Sequence, residues 1–195
     1  MKEIILLLYF ISAGIIQTNF TDFKSNATRY DKEHSLIYSS FYGKKDFVLA
    51  YTIQSFWSDQ KTYYAIANTS NKWEKITLTS KRKKDGSWTK PRIQIKGINE
   101  QQVETTLDNL SRDSFWDLDR RHLTNITYKD ADSVLHKVSR SDGVNYRIEI
   151  FTKEKFRVIE AYEPEYYLDK MPEKRQREVF INSRKQIEAL LINGT

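Results

Sequence analysis

The chain has 195 residues, of which 39% are hydrophobic and 13% aromatic, and this is enough apolar material to form the core of one folded domain. A net charge of +6 at pH 7 makes a partner with anionic groups one option, but the charge does not by itself indicate one. The chain contains no cysteine, which excludes disulfides, thiol nucleophiles and zinc–thiolate sites, and no motif in it predicts a metal site or a cofactor.

Residues 1–18 have the pattern of a secretory signal peptide. Lys2 and Glu3 are followed by an apolar run over 4–11 and by small residues at 12–14. The run is too short to span a bilayer comfortably, although a buried first strand or an uncleaved anchor stays an alternative. We therefore predict a signal peptide over 1–18 and a single domain over 19–195.

The predicted location is the periplasm of a bacterium or the space outside the cell. An exported domain without cysteine fits a bacterial envelope better than a eukaryotic secretory pathway, where small domains depend on disulfides. Asn-x-Ser/Thr sequences would be glycosylation acceptors in a eukaryotic pathway and are polar turn residues in a bacterium. They begin at Asn19, Asn26, Asn68, Asn109, Asn125 and Asn193.

Three strands are predicted after a polar surface segment that ends near residue 45. Within that segment, a short strand is predicted over 35–41. Large hydrophobic residues then alternate with smaller ones over 47–53, a period of two that is typical of a strand. Further strands are predicted over 61–68 and 73–80, with a polar loop at 68–71 between them.

Four cations occupy residues 81–84, directly before Asp85 and Gly86, a pair that is typical of a tight hairpin turn. One interpretation is a finger that binds phosphate or another anion, with Trp88 available to stack on a base. The other is a solvated hairpin end whose charges discourage edge-to-edge pairing. Lys83, Lys84 and Trp88 are the candidate ligand-binding residues of this region.

A fourth strand and a helix complete the first half of the chain. Pro91 limits the strand that contains Ile93 and Ile95 to an edge or a strand start. Asn99 has the position of a helix N-cap, with a Gln three residues later. The apolar residues at 103, 107 and 110 then lie on one face of the predicted helix.

Residues 115–118 (Phe-Trp-Asp-Leu) are predicted to link two halves of the domain and to insert their rings into the core. Asp117 and Asp119 are close to His122 in sequence. These groups could work as acid and base, or they could form ordinary ion pairs at the surface.

The second half repeats the order of strands followed by a helix. A strand is predicted over 134–138, with His136 on its inner face, and a turn at 141–143 leads to strands over 144–150 and 156–161. Glu160 and Tyr162 lie in an acidic, tyrosine-rich stretch that could contact a cation or a carbohydrate, or could be a strand end and loop that cover the core. A closing amphipathic helix is predicted to begin near Pro172.

These elements predict an α+β fold with a mostly antiparallel sheet and two main helices that cover one of its faces. A strand–strand–strand–helix unit would be used twice, over 46–110 and 131–191. A short sequence pattern occurs twice: Asp-Gly is followed by Arg-Ile-x-Ile at 85–95 and again at 142–150. This repeat suggests an internal duplication.

The second half resembles small exported proteins of unknown function from Bacteroidota-type bacteria. The resemblance lies in the Phe-Trp-x-Leu motif at 115–118, the turn and strand at 143–146, the strand at 156–162 and the amphipathic helix at the end. It implies export and an α+β domain, and it implies no activity. Many of those relatives have a lipobox cysteine, which this chain lacks.

Three functions are compatible with the sequence. The preferred one is an exported, non-enzymatic domain that binds a protein or a glycan of the cell envelope, because no catalytic motif is present and the chain has 12 tyrosines. The second is a metal-independent hydrolase that uses Asp117, Glu160 or Glu163 as a catalytic carboxylate. The third is binding of an anionic surface or a nucleic acid through the cluster at 81–84.

Overall fold

A six-stranded antiparallel sheet forms the centre of the protein. The computed structural model describes residues 22–55 and 57–193, so the predicted signal peptide over 1–18 lies outside the described residues. The sheet strands are β1 (Phe47–Ser55), β2 (Gln60–Thr69), β3 (Lys72–Lys81), β4 (Arg92–Gly97), β7 (Val144–Thr152) and β8 (Phe156–Tyr162). Their spatial order is β4-β3-β2-β1-β7-β8, which makes β4 and β8 the two edges.

Helices and a small separate hairpin surround this sheet. The α-helices are α1 (Arg29–His34), α2 (Leu36–Phe41), α3 (Glu100–Arg112), α4 (Arg120–Thr124), α5 (Pro164–Lys170) and α6 (Arg175–Glu188). A 3-10 helix spans Phe115–Asp117, a π-helical turn spans Ala189–Asn193, and the small hairpin is made of β5 (Thr127–Lys129) and β6 (Leu135–Lys137). The predicted α+β class with a mostly antiparallel sheet is confirmed.

The sheet is buried on both faces, because β1 places large apolar side chains on each side of it. Phe47 and Leu49 pack in one core with residues of α3 and α6, whereas Val48 and Ala50 pack in a second core with residues of α2. A strand that is covered on both faces is expected to be almost continuously hydrophobic, as β1 is. The two main helices, α3 and α6, cover one face as predicted, and the short helix α2 covers the other.

The segment 35–41, predicted as a strand, is the helix α2. The Ser35 hydroxyl accepts a hydrogen bond from the backbone N–H of Tyr38 at 3.0 Å and so caps the helix. Ile37 and Phe41 are both buried and lie four residues apart, which places them on one helical face toward the second core. The run is too short for its period to be distinguished from that of a strand in the sequence alone.

The segment around His136 also differs from its prediction. β6 leaves the main sheet and pairs with β5. His136 is 42% exposed and bonds to Asp130 at 2.7 Å, so it does not face the core. The turn at 141–143 consequently joins β6 to β7 without forming a hairpin, and β7 instead pairs with β8 and β1.

In the second half of the chain, one helix is additional to the prediction and another begins later than predicted. In the first half, the predicted helix begins where its capping residue indicated. The stretch after β8 folds as α5 rather than as a loop, and α6 begins at Arg175 rather than at Pro172. In the first half, Asn99 caps α3 by accepting from the backbone N–H of Gln102 at 3.1 Å, and the residues at 103, 107 and 110 are buried as predicted.

The two edges of the sheet differ. The chain before α1 runs beside β8, where the backbone N–H groups of Asn26 and Ala27 donate to the carbonyl oxygen of Phe156 at 3.2 Å each. All six residues of β4 are exposed.

Within the described ranges, no helix combines the length and apolarity that crossing a bilayer requires.

Candidate binding surface

Residues 81–97 form an exposed basic strip along one side of the sheet, which we call the basic edge. The strip holds seven cations and the single carboxylate of Asp85, so its net charge equals the +6 of the whole chain. The rest of the chain therefore balances 25 cations against 25 acidic residues. All seven cationic residues of the strip are exposed: Lys81, Arg82, Lys83, Lys84, Lys90, Arg92 and Lys96.

The first part of the basic edge is a tight hairpin tip, as the Asp-Gly pair predicted. Gly86 has a φ of +82°, a conformation that costs glycine little, and its N–H donates to the carbonyl oxygen of Lys83 at 3.0 Å. The Asp85 carboxylate accepts from the backbone N–H and the hydroxyl of Ser87 at 2.9 and 2.7 Å. The Asp85 carboxylate therefore bonds inside the turn. Among the described residues it forms no ion pair with the cations of the strip.

The second part of the basic edge is β4, an amphipathic strand. Ile93 and Ile95 are 42% and 48% exposed. They lie opposite Leu78 and Ile76 of β3, which are completely buried. Arg92 and Lys96 point to the other face, because side chains alternate along a strand.

Trp88 is only partly available to a ligand. Its ring is half-buried, and the Nζ of Lys61 lies 5.3 Å from the ring centroid. Burial lowers the pKa of Lys61 below its ordinary value, and the nearby charge of Glu149 offsets only part of this effect. One side of the indole therefore covers a partly desolvated cation, in a cation–π contact.

Glu160 lies at the opposite edge of the sheet, in a buried ionic network, which we call the charge network. Arg147 is its centre and bonds to Asp31 at 3.0 Å, Glu149 at 2.7 Å and Glu160 at 3.1 Å. Arg120 bonds to the other Glu160 oxygen and to Asp31 at 3.2 Å. These contacts join α1, α4, β7 and β8, which indicates a structural role for Glu160.

The two most buried carboxylates of the charge network have pKa values that are shifted in opposite directions. Burial raises the pKa of Glu149 above its ordinary value, and the charge of Arg147 and the hydrogen bond from Ser35 offset only part of that rise. Burial also acts to raise the pKa of Asp31, but hydrogen bonds from Thr28 and Arg147 outweigh it and hold the pKa below its ordinary value.

Tyr162 also has a structural partner. Its hydroxyl accepts from the backbone N–H of Gly143 at 2.7 Å and donates to the carbonyl oxygen of Arg140 at 3.1 Å. The ring lies on the wall of a shallow cleft of about 460 Å³ that Gln54 and Asn145 also line. Tyr162 thus fixes the turn before β7.

A wider cleft of about 660 Å³ lies beside the 3-10 helix and contains Trp116, Asp117, Asp119 and Arg157 in its walls. The guanidinium group of Arg157 donates to the carbonyl oxygens of Trp116 and Leu118, which holds this segment against β8. Hydrogen bonds from Arg121 lower the pKa of Asp119 to about 2.

The structure does not assemble the carboxylates of the hydrolase hypothesis into one site. Asp117 lies in the wall of the 660 Å³ cleft, Glu160 belongs to the charge network, and Glu163 accepts from the backbone N–H of Val144 at 2.8 Å. The His122 side chain bonds to Glu173 at 3.0 Å, and among the described residues it forms no side-chain hydrogen bond with Asp117 or Asp119. Among the described residues no group of three His or acidic residues could hold a metal ion.

The five candidate ligand-binding residues thus divide between two edges of one sheet. Trp88, Lys83 and Lys84 lie on the basic edge, whereas Glu160 and Tyr162 lie on β8. The sequence interpretation missed Lys90, Arg92 and Lys96, which continue the basic edge beyond the hairpin; a running count of charge along the sequence would have found them.

Comparison of the chain with protein-family models and with curated proteins found no match.

Proposed function

We propose that the protein is a non-enzymatic binding module that holds an acidic macromolecular partner on the basic edge. The observation that supports this is the position of the net charge: residues 81–97 contain all of it, on side chains that are exposed. Within the described part of the chain, none of the seven cations forms an ion pair. They therefore repel one another, and an acidic surface would relieve this repulsion.

The proposal extends to an exported protein of the cell envelope. The signal-like pattern of residues 1–18 supports export, and an envelope partner would be an acidic protein or an acidic glycan. Export favours both of these partners over a nucleic acid. The engagement of Trp88 by Lys61 also makes stacking of an unpaired base on that ring less favourable.

The test is binding of the full chain to two labelled acidic polymers, poly-L-glutamate and polygalacturonate, measured by fluorescence anisotropy at increasing salt. The variant is Lys83→Gln, Lys84→Gln and Lys90→Gln together. Three exposed charge contacts of about 0.5 kcal/mol each predict a loss of roughly tenfold in affinity for the preferred polymer.

The matched control changes three exposed lysines elsewhere: Lys32→Gln, Lys72→Gln and Lys170→Gln. It removes the same net charge, and we expect its affinity to stay within about twofold of the unchanged chain. Equal losses in the two triple variants would mean that the charge acts generically, and the proposal would then be wrong. Binding that persists at about 150 mM salt indicates an acidic protein as the partner if the polymer is poly-L-glutamate, and an acidic glycan if it is polygalacturonate.

A further inference from the structure

We infer that β4 recognises its partner as an additional strand, and that the partner is an extended peptide segment in which acidic and apolar residues alternate. The inference rests on the proposed function of the basic edge and specifies its ligand.

β4 has backbone hydrogen-bonding groups that its pairing with β3 does not use. The strand pairs with β3 on one side and is the last strand of the sheet on the other. In an antiparallel pair, every second residue of an edge strand directs its N–H and C=O away from the sheet. Among the described residues, no backbone group outside β3 bonds to Arg92–Gly97. The described part of the chain therefore leaves these outward groups to a further strand.

The other edge of the sheet, β8, contrasts with β4. Along β8, the Asn26 side chain bonds to both backbone groups of Val158, and the Ser25 hydroxyl accepts from the N–H of Phe156 at 2.9 Å. The fold therefore covers one edge with its own chain. Exposed edges favour pairing with other strands, so a six-residue edge that the described residues leave uncovered is a site for β-strand addition.

The side chains of β4 also differ between its two faces. Ile93 and Ile95 extend the buried surface of Leu78 and Ile76 outward, but they are themselves 42% and 48% exposed. Apolar residues of an added strand would lie beside these two isoleucines and cover them. On the opposite face, acidic residues of the same strand would lie beside Arg92 and Lys96. This pairing requires a peptide that alternates between the two residue types.

Other occupants fit β4 less well. A second copy paired antiparallel about Gln94 would place Arg92 against Lys96, and like charges directly opposite one another are destabilising. An acidic glycan would neutralise the cations, but it would leave Ile93 and Ile95 exposed and most of the outward backbone groups unpaired. The alternating peptide would pair with the outward backbone groups, cover the two isoleucines and neutralise the cations of β4.

The experiment uses the full chain and two labelled eight-residue peptides of the same composition. One alternates Glu and Val, and the other has four Glu followed by four Val. We expect the alternating peptide to bind at least about tenfold more tightly, because only it can form the hydrogen-bonded ladder with matching faces. Amide hydrogen exchange followed by NMR should then slow at every second residue of 92–97.

A pair of variants separates the strand mode from simple charge attraction. Ile93→Ser with Ile95→Ser should weaken the alternating peptide about tenfold, a larger loss than any loss of poly-L-glutamate binding, because poly-L-glutamate has no apolar side chains to cover these two positions. The control, Val134→Ser with Leu135→Ser, changes two exposed apolar residues of the small hairpin and should affect neither probe.

The two proposals fail in distinguishable ways. If both peptides bind equally and exchange in β4 does not change, strand addition is wrong, while charge-based binding by the basic edge stands. If only polygalacturonate binds, strand addition is wrong and the partner is a glycan. If neither the peptides nor either acidic polymer binds, the proposed function itself is wrong.

Discussion

The side-chain amide of Asn26 forms both hydrogen bonds that a neighbouring strand would make with Val158. Its Nδ2 donates to the Val158 carbonyl oxygen at 2.9 Å, and its Oδ1 accepts from the Val158 N–H at 2.7 Å. An asparagine in the chain before α1 thus replaces a strand residue at the edge of β8. Asn26 also begins one of the Asn-x-Thr sequences, so this potential acceptor is already used within the fold.

Asn26→Ala should expose the backbone of Val158 and loosen the chain segment that covers β8. Two hydrogen bonds are lost at a site that water can reach, so we expect the free energy of unfolding to fall by about 1–2 kcal/mol. Urea denaturation measures this loss, and hydrogen exchange at the Val158 amide should become faster. Asn26→Asp keeps the acceptor and loses the donor, and we expect an intermediate loss. Unchanged exchange at Val158 in the alanine variant would contradict this role.

Asp31→Asn should destabilise the protein by about 3 kcal/mol at neutral pH, because it leaves the buried Arg147 with one negative partner fewer. The matched control is Glu33→Gln in the same helix. Glu33 pairs with Arg29 at 2.6 Å, but the two side chains are 53% and 91% exposed, so this change should cost less than about 0.5 kcal/mol. Equal losses for the two variants would show that burial of the charge network does not matter.

The pH dependence of unfolding should identify the same carboxylate. The folded-state pKa of Asp31 is below its ordinary value near 3.8, so the unfolded chain binds more protons in this range. The stability that ionised Asp31 provides is therefore complete above about pH 4 and is lost as the pH falls below that value toward the folded-state pKa. The difference between the parent protein and Asp31→Asn should shrink over this acid range. A difference that stays constant with pH would contradict the assignment.

Gly143→Ala should be destabilising because there is no room for a methyl group at this position. A Cβ on Gly143 would lie 2.7 Å from the Tyr162 hydroxyl and equally close to a Glu163 oxygen. The turn would have to shift and would weaken the Gly143–Tyr162 hydrogen bond, so we expect a loss of about 1–3 kcal/mol in thermal or urea unfolding. Gly97→Ala is the control, since no atom lies within 4 Å of its added Cβ; it should be neutral or slightly stabilising.

Local sequence patterns determined the strands β1–β4, the turn at Asp85 and Gly86, and the helix α3 with its Asn99 cap. Each of these elements has a period or a capping residue within a short window, and neighbouring strands pair through short turns. The basic edge belongs to the same class, because the charge of residues 81–97 can be counted in the sequence and a hairpin end and an edge strand are exposed.

The tertiary structure decided the features that join distant residues. No local pattern shows that β1 pairs with β7, almost 100 positions later, or that Asp31, Arg147 and Glu160 meet in one network. The same packing places Trp88 and Tyr162, two separate ligand-binding candidates of the sequence, at opposite edges of one sheet. The physical reason is that pairing between distant strands depends on how complete faces are buried against helices, and this burial is a property of the whole fold rather than of any single segment.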